Sequence, residues 1–329
     1  MSSPARILLT GAAGFIGMHQ ARTFLEAGYE VLGIDNLNAY YSPELKTARL
    51  KQLSDFPAFS FEKASVEDEA HLFRLFERFK PDYLVHLAAQ AGVRYSLEAP
   101  RAYTQANVEG FLSILEACRR FGVKHCLYAS SSSVYGANTK VPFCETDRVE
   151  HPLSFYAATK RANELMAQTY AHLYRIPLTG LRFFTVYGPW GRPDMAMWKF
   201  TDAILAGRAI DVFDEANMSR DFTYIDDITG AIARLLPLVP DDESAGAPHR
   251  ILNIGNHTPV KLKDFIAAIE EACATAAIKN HLPRQSGDVV ATYADVSRLA
   301  ALTGFSPDTP IGEGTKRFVD WYQAYRATN

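Results

Sequence analysis

The most constraining feature of this sequence is a glycine-rich turn at residues 10–17, placed between an apolar run and a helical pattern. The run Arg6–Thr10 predicts a buried strand, and the residues after the turn, through Leu25, predict a helix. A second apolar run at residues 30–34 ends at Asp35. Strand, tight turn, helix and strand in this order predict the start of a parallel sheet covered by helices.

Three glycines in that turn have the spacing of a dinucleotide-binding loop. Gly11 permits the tight turn, Gly14 lets the backbone approach a pyrophosphate, and Gly17 lets the helix pack closely on the strand. The N–H groups at the start of the helix favour a bound phosphate. Asp35 stands where a carboxylate accepts hydrogen bonds from the adenosine ribose, and its charge repels a 2′-phosphate. We therefore predict NAD, rather than NADP, as the cofactor.

A tyrosine and a lysine four residues apart form the candidate catalytic pair. Tyr156 and Lys160 lie on one face of a predicted helix. A free phenol has a pKa of about 10 and is a poor base near neutrality, but a nearby ammonium group favours the phenolate. Such a pair also occurs by chance, so a second element has to decide between the two interpretations.

A run of serines supplies that second element. Ser131, Ser132 and Ser133 follow an apolar run at residues 126–129, which predicts a strand. A parallel sheet holds its ligands beyond the carboxyl ends of its strands. These hydroxyls are therefore placed to bond a substrate hydroxyl and to pass its proton to Tyr156.

Composition and charge exclude several classes of protein. The chain has 329 residues, and its 48% hydrophobic and 22% charged residues are typical of a globular protein. A formal net charge of −3 favours neither nucleic acid nor a membrane surface, and no run of about 18 apolar residues predicts a membrane-spanning helix. The four cysteines and nine histidines lack metal-ligand spacing, so we expect reduced core thiols and no metal. The first residues contain no signal-peptide h-region, so a cytoplasmic protein is expected.

The distribution of strand and helix patterns predicts two domains. Further apolar runs lie at residues 83–87, 126–129 and 178–182, with helical patterns between them. This alternation predicts an α/β fold with a Rossmann-type doubly wound parallel sheet. It fades after about residue 185, where Gly, Pro, Trp and Tyr are frequent. We assign residues 1–185 to an NAD-binding domain and 186–329 mainly to a smaller α/β substrate domain, part of which returns to the first.

The glycine turn, the serine run and the Tyr-Lys pair together resemble the nucleotide-sugar epimerases and dehydratases of the extended short-chain dehydrogenase/reductase family. The resemblance covers nearly the whole chain. It implies that Ser131 is the catalytic serine, Tyr156 the catalytic base and Lys160 a ligand of the nicotinamide ribose, with Ser132 and Ser133 as neighbours that share the substrate contact. Further NAD contacts that the resemblance implies are Phe15, Ile16, Asn36, Asn38, Val66 (against the adenine), Leu87, Ala88, Gln90 and Asn107. Ser65 stands where an Asp is common in the family.

The residues after Ser131 bear on the type of reaction. The family's dehydratases carry an Asp-Glu pair there and its decarboxylases a nearby Glu, whereas this chain has Ser132 and Ser133. Serine hydroxyls are not proton acids or bases near neutrality, which favours 4-epimerisation of a UDP-sugar through a transient 4-keto intermediate, with NAD recycled. A UDP-glucose/galactose-type 4-epimerase, a UDP-glucuronate decarboxylase and a non-enzymatic NAD-binding regulator stay as alternatives.

Three segments, at residues 35–41, 90–96 and 182–195, resemble the UDP-glucuronate 4-epimerases within that family. The expected reaction is then the interconversion of UDP-glucuronate and UDP-galacturonate. A uronate needs a partner for its carboxylate, and Arg192 offers a planar, permanently charged fork. A 4-keto uronate is also a β-keto acid, and holding its carboxylate near the carbonyl plane hinders loss of CO2. The alternative for Arg192 is a loop arginine in a surface salt bridge.

The resemblance assigns further residues to the substrate and to a partner subunit. Arg220 matches a diphosphate-binding arginine, Asp288 a residue that reaches the uridine ribose, and Gln285 a position where other epimerases have an Arg. Further expected contacts are Arg94 (or a solvated loop charge), Thr185, Lys199, Val212 and Phe213 (or a core aromatic). The resemblance implies a homodimer formed by the helices predicted around residues 106–121 and 155–174, although the same faces are suited to covering the sheet.

Two side chains near the predicted site are assigned to packing. His86 lies on an apolar strand and is expected to be a core histidine with satisfied hydrogen bonds. Tyr135 has no lysine four residues later, so we predict that it packs near the cofactor and is not the base.

Overall fold

The computed structural model describes residues 4–213, 218–242, 245–283 and 291–328. The chain divides into two compact units. The first unit comprises the described residues within Met1–Asn138, Glu145–Phe183 and Thr229–Asn253, and the second those within Thr139–Cys144, Phe184–Ile228 and Ile254–Asn329.

Short apolar runs form the strands of both units. The strands are β1 (Arg6–Thr10), β2 (Glu30–Asp35), β3 (Phe59–Lys63), β4 (Tyr83–His86), β5 (His125–Ser131), β6 (Leu178–Phe183), β7 (Thr185–Tyr187), β8 (Ile210–Phe213), β9 (Ser219–Tyr224), β10 (His249–Ile254), β11 (Pro259–Lys261), β12 (Lys279–Leu282) and β13 (Ala291–Thr292). Seven of them form the central sheet in the order β10-β6-β5-β4-β1-β2-β3, and the pairings from β6 to β3 are parallel. The predicted Rossmann-type α/β fold is confirmed.

Helices follow most of these strands. They are α1 (Phe15–Glu26), α2 (Pro43–Lys51), α3 (Glu69–Phe79), α4 (Tyr95–Glu98), α5 (Pro100–Tyr103), α6 (Gly110–Phe121), α7 (Phe155–Tyr174), α8 (Ala196–Leu205), α9 (Ile225–Leu235), α10 (Leu262–Cys273), α11 (Ser297–Thr303) and α12 (Ile311–Thr328). A π-helix, Thr104–Glu109, leads into α6, and a 3₁₀ turn, Ser132–Tyr135, follows β5.

The core of the first unit is made by helices packed on the parallel sheet. Phe111 and Ile114 of α6 and Phe76 of α3 are fully buried in one apolar cluster with Leu8 and Leu84 of the sheet. Strands buried on both faces are expected to be apolar throughout, which is why the sequence runs are continuous and do not alternate. This packing holds the carboxyl ends of β1, β4 and β5 in fixed register.

The second unit contains smaller sheets and an aromatic cluster. β9 pairs with β7 and β13 in parallel and with β11 in antiparallel orientation, and β8 pairs with β12. Trp190 and Trp198 pack against Trp321 of α12, with ring centroids 5.1 and 5.5 Å away. The loop before α8 is therefore anchored to the last helix.

Two expectations about the chain as a whole can be compared with the structure. The thiols of Cys118, Cys126 and Cys273 are buried, as expected of core thiols, and that of Cys144 is half-buried. In the part of the chain that the structure describes, no helix is both long and apolar enough to cross a membrane.

Candidate active site

The glycine turn between β1 and α1 is packed so tightly that side chains do not fit in it. Gly11 has a φ of +75°, which favours glycine, and a Cβ there would lie 2.8 Å from the backbone nitrogen of Ala88. A Cβ on Gly14 would lie 2.9 Å from the carbonyl oxygen of Gly11, and one on Gly17 would overlap the same oxygen. The close packing of this turn against the loop after β4 and against the start of α1 therefore requires glycine at these positions.

The end of β2 is organised around one carboxylate. Asp35 accepts hydrogen bonds from the backbone N–H of Ala13 (3.2 Å) and of Leu37 (2.8 Å). These bonds fix the carboxylate beside the glycine turn, where it can accept ribose hydroxyls. Asn36, the next residue, donates to Ser65 Oγ (3.2 Å), so the serine that replaces the family's Asp has a partner in this chain.

A buried histidine braces the end of β4. Thr10 Oγ1 accepts from the backbone N–H groups of Leu87 (3.2 Å) and Ala88 (3.0 Å), so its proton is donated to His86 Nδ1 (2.8 Å). Burial, and then the nearby charge of Lys160, lower the pKa of His86 to about 3. His86 is a neutral core histidine, as predicted.

Gln90 and Asn107, both predicted to contact NAD, are bonded to each other. Asn107 Oδ1 accepts from the backbone N–H of Gln90 (2.8 Å), and its Nδ2 donates to the Gln90 carbonyl (3.0 Å) and to Thr159 Oγ1 (3.0 Å). The carbonyl of Asn107 in turn accepts from Asn163 Nδ2 (2.5 Å). These hydrogen bonds of Asn107 tie the loop after β4 to the π-helix and to α7.

Val66, predicted against the adenine, is buried beside Gly110.

The candidate serines lie at the carboxyl end of β5. The strand runs through Ser131, two residues further than the apolar run predicted, because Ser130 and Ser131 continue its pairing with β6. Ser131 Oγ accepts from the backbone N–H of Ser133 and donates to its Oγ, each at 3.1 Å. Ser132 and Ser133 form the following 3₁₀ turn and are half-buried.

The catalytic pair occupies the first turns of α7. Ser154 caps the helix by accepting from the backbone N–H of Ala157 (3.1 Å), which places Tyr156 and Lys160 one turn apart. Lys160 Nζ donates to the Ala129 carbonyl of β5 (2.9 Å). Burial lowers the pKa of Lys160 to about 8. The helix thus brings a phenol and a desolvated ammonium group to the strand that ends in the serines.

Two sets of residues around α7 were missed by sequence reasoning. Glu164 is a fully buried carboxylate that binds Arg182 and Ser130. Its spacing of four residues from Lys160 was a signal that it shares the helix face. Tyr103 packs edge-on against Tyr156, with ring centroids 6.1 Å apart, and its hydroxyl bonds the loop after β4.

Tyr135 is a packing residue. It is buried, its hydroxyl donates to Asn253 Oδ1 (2.7 Å), and Arg182 lies over its ring at 4.8 Å. Burial raises the pKa of its phenol far above the usual value. Such a phenol stays protonated, in agreement with the prediction that it is not the base.

In the second unit, Arg192 is held by a carboxylate. Its Nε and Nη2 pair with the two carboxylate oxygens of Asp194, at 3.0 and 2.5 Å, and both side chains are half-buried. The same segment lines a small cavity of about 40 Å³, to which Thr185, Met195 and Trp198 contribute. This pair is the loop salt bridge given above as the alternative for Arg192, so a substrate carboxylate would have to displace or join Asp194 at the guanidinium.

The other predicted substrate residues lie in different settings. Arg220 is half-buried on β9 and donates to the Ser219 carbonyl (3.0 Å). Val212 is buried and Phe213 half-buried on β8, whereas Lys199 on α8 and, in the first unit, Arg94 are exposed. Gln285 and Asp288 lie outside the described residues.

The residues of the first unit fit a bound NAD. The glycine turn leaves no room for side chains, α1 begins without a side-chain cap on its N–H groups, and Asp35 stands beside that turn. Across the residues whose positions are described, no group of three or more His, Cys, Asp or Glu side chains is arranged to hold a metal ion. Together with the Ser-Tyr-Lys set on β5 and α7, these features define a dinucleotide-dependent enzyme on a Rossmann-type fold.

Comparison with known proteins agrees with this class. Residues 7–255 match the NAD dependent epimerase/dehydratase family. The chain is 51% identical to Protein CapI of Staphylococcus aureus, over 97% of this chain and 99% of that one. It is 49% identical to a probable UDP-glucuronate 4-epimerase of Rhizobium meliloti, over 98% of each. The crystal structure of the UDP-glucuronic acid 4-epimerase of Bacillus cereus, with UDP-glucuronic acid and NAD, superposes with a TM-score of 0.88 at 31% identity, covering 97% of this chain and 99% of that one.

The chain belongs to the NAD dependent epimerase/dehydratase family. Its cofactor is NAD, as the glycine turn and Asp35 predict.

Proposed function

We propose that this protein is an NAD-dependent UDP-glucuronate 4-epimerase that interconverts UDP-glucuronate and UDP-galacturonate. The residue that carries the choice of sugar is Arg192, a half-buried guanidinium in a segment that resembles the uronate enzymes, with Asp194 as its present partner. The near half identity to a probable UDP-glucuronate 4-epimerase supports the same substrate.

Proton transfer at the sugar C4 hydroxyl is assigned to the first unit. Tyr156 accepts the C4 hydroxyl proton, and a serine among Ser131–Ser133 bonds that hydroxyl and orients it. Lys160 supplies positive charge one turn along the helix, which favours the phenolate form of the base. On the return step the same phenol gives the proton back to the C4 oxygen.

NAD, when bound, would supply the acceptor of the C4 hydride and the donor that returns it to the opposite face of the ring. The residues that would hold it are the glycine turn with the start of α1, Asp35 at the adenosine ribose, and Lys160 at the nicotinamide ribose. Gln90 and Asn107 would line the loop after β4.

Arg192 is assigned to the uronate carboxylate. A substrate carboxylate that binds the guanidinium replaces or joins Asp194 as its partner. When the carboxylate is held close to the plane of the C4 carbonyl, the C5–C6 bond is kept out of alignment with the carbonyl π orbital, which loss of CO2 requires, so the 4-keto intermediate survives until it is reduced.

The first test of this proposal is the reaction itself. Pure protein incubated with UDP-glucuronate and followed by NMR is expected to form UDP-galacturonate, and Tyr156→Phe is expected to lose roughly 10²–10⁴-fold in kcat, the usual contribution of a general base. Tyr174→Phe is the matched control, because Tyr174 is an exposed tyrosine on the same helix. Full turnover by Tyr156→Phe would remove the proposed base. Absence of reaction with any UDP-sugar would favour the NAD-binding regulator.

The second test concerns the choice of sugar. Arg192→Ala is expected to raise KM for UDP-glucuronate and to increase release of CO2 with a UDP-pentose. Arg208→Ala, at an exposed arginine that pairs with Asp202 in the same unit, is the control and should change neither. If wild-type protein forms only UDP-pentose, it is a decarboxylase. If it acts on UDP-glucose and not on the uronate, it is a neutral-hexose epimerase.

We also propose that the protein is a homodimer formed through α6 and α7. Leu112 of α6 and Leu165 and Leu173 of α7 are 42%, 54% and 60% exposed, which is a high exposure for apolar side chains on neighbouring helices. Light scattering of the pure protein is the measurement, and a monomer at micromolar concentration would contradict the proposal. Cytoplasmic location stays a prediction from the sequence.

A further inference from the structure

The buried carboxylate of Glu164 joins three elements of the first unit. It lies on α7 with a fully buried side chain. Its two oxygens accept from Arg182 Nε (2.8 Å) and Nη2 (2.9 Å) on β6, and Oε1 also accepts from Ser130 Oγ (2.7 Å) on β5. Burial opposes ionisation of this carboxyl, but the hydrogen bonds and charge of Arg182 outweigh it, and the pKa of Glu164 is lowered. The group is therefore a carboxylate anion with its acceptor sites in use.

The contacts of α7 with β5 form a ladder with a fixed register. Lys160 Nζ binds the carbonyl of Ala129, and Glu164, one turn later, binds the side chain of Ser130. Ser131 is the next residue of the strand, and Tyr156 lies one turn earlier on the helix. Two consecutive residues of the strand are thus bonded by two consecutive turns of the helix, and the proposed proton-transfer groups are the next residue of that strand and the preceding turn of that helix.

We propose that Glu164 is a positioning residue that sets the placement of Tyr156 relative to Ser131. The inference rests on the proposed roles of those two residues. Without the bond from Ser130, Glu164 keeps its bonds to Arg182 on β6 and to Arg161 on α7, and the direct polar contact between α7 and β5 is the single hydrogen bond of Lys160 Nζ, a flexible side chain. A change in the position of α7 would then move the Tyr156 phenol relative to the Ser131 hydroxyl. The rate of catalysis depends steeply on such placement, because a misplacement of about 1 Å lowers the rate roughly 10²-fold.

The buried ion pair of Glu164 with Arg182 is not explained by a contribution to stability alone. A buried ion pair gains little over well-packed apolar residues of similar volume, because both charges must leave water. Arg182 lies in register with Ser130 across the β5–β6 pair, so the guanidinium presents the carboxylate to the serine side chain. The directional hydrogen bond that results is what an apolar pair would lack.

Ser130→Ala is the variant that tests this role, because it removes the hydrogen bond and leaves the pairing of Glu164 with Arg182 intact. We expect kcat to fall roughly ten- to hundredfold, with KM within about twofold of wild type. We also expect the kinetic isotope effect with substrate deuterated at C4 to increase, because the misplaced groups make chemistry rate-limiting. The dissociation constant for NAD, measured by calorimetry on protein freed of cofactor, should stay unchanged.

Ser113→Ala is the matched control, since Ser113 is also buried and makes one hydrogen bond, to the Glu109 carbonyl (3.2 Å). It should leave kcat and the isotope effect unchanged. If Ser130→Ala behaves like this control, the positioning role is overturned. If Tyr156→Phe retains turnover, the proposed function fails first, and the two failures are thereby distinguished.

Discussion

At the scale of single residues, the most informative group is Lys160. Its ammonium group is buried and donates to the carbonyl of Ala129. Burial disfavours the charged form, which is why the pKa is lowered to about 8. In the proposed mechanism this is the charge that favours the Tyr156 phenolate, so its titration falls in a range where activity can be measured.

We predict that kcat decreases as pH rises through about 8, because Lys160 loses its proton and with it the charge beside the base. Lys160→Met should lower kcat by about 10²-fold and remove this alkaline limb. The measurement is kcat from pH 6 to 10 for wild type, Lys160→Met and the exposed control Lys316→Met. An alkaline limb that persists in Lys160→Met would show that another group causes it.

At the scale of an element, β9 is organised by a buried carboxylate. Asp221 Oδ1 accepts from the backbone N–H of Asn256 (2.7 Å), and Oδ2 accepts from those of His257 (3.1 Å) and Ala294 (3.0 Å). Burial raises the pKa of Asp221, and these hydrogen bonds oppose the rise. One side chain thereby satisfies N–H groups from two loops of the second unit, next to Arg220.

We predict that Asp221→Asn destabilises the protein by about 2–4 kcal/mol, because the amide NH₂ would face backbone N–H donors and leave them unpaired. Thermal unfolding of the variant is the measurement. Asp211→Asn, at an exposed carboxylate on β8 that accepts from Asn280 Nδ2, is the matched control. Equal melting temperatures for the two variants would contradict the assigned role.

At the scale of the whole molecule, neither unit is a continuous stretch of chain. The chain returns to the first unit at Thr229–Asn253, and this segment contributes β10 to the seven-stranded sheet of that unit. A fragment cut after residue 185 would lack that strand and leave β6 at the edge. Three buried histidines, His86, His125 and His249, lie in this same unit.

We predict that the free energy of unfolding falls as the pH is lowered below about 6.5, the value for an unperturbed histidine. Burial lowers the pKa of His86 to about 3 and of His125 and His249 to about 4. Between these values and 6.5 the unfolded chain binds more protons, so each group contributes a slope of about 1.4 kcal/mol per pH unit. The stabilisation is complete above pH 6.5 and is lost toward pH 4.

Urea unfolding between pH 4.5 and 7.5 measures this slope. His249→Gln should reduce it, whereas His172→Gln, at an exposed position, should leave it unchanged. A free energy of unfolding that does not vary over this range would contradict the prediction.

Much of the first unit could be predicted because its signals are local. The run Arg6–Thr10 forms a strand, Gly11 has the positive φ of a tight turn, and the span predicted around 155–174 is the helix Phe155–Tyr174. Each depends on the periodicity of apolar residues or on the conformational freedom of one glycine, and neighbouring residues alone encode these properties. The Tyr156–Lys160 spacing follows from the same helical repeat.

The sequence by itself therefore determined the Rossmann-type sheet, the NAD-binding turn and the chemical types at the candidate site. The tertiary structure alone decided which distant groups form hydrogen bonds. Examples are Ser130 with Glu164, 34 residues apart, Asn107 with Thr159, 52 residues apart, and Asp221 with Ala294, 73 residues apart. The physical reason is that a hydrogen bond between distant residues depends on how strands and helices pack. No local pattern specifies which buried donor a carboxylate will face.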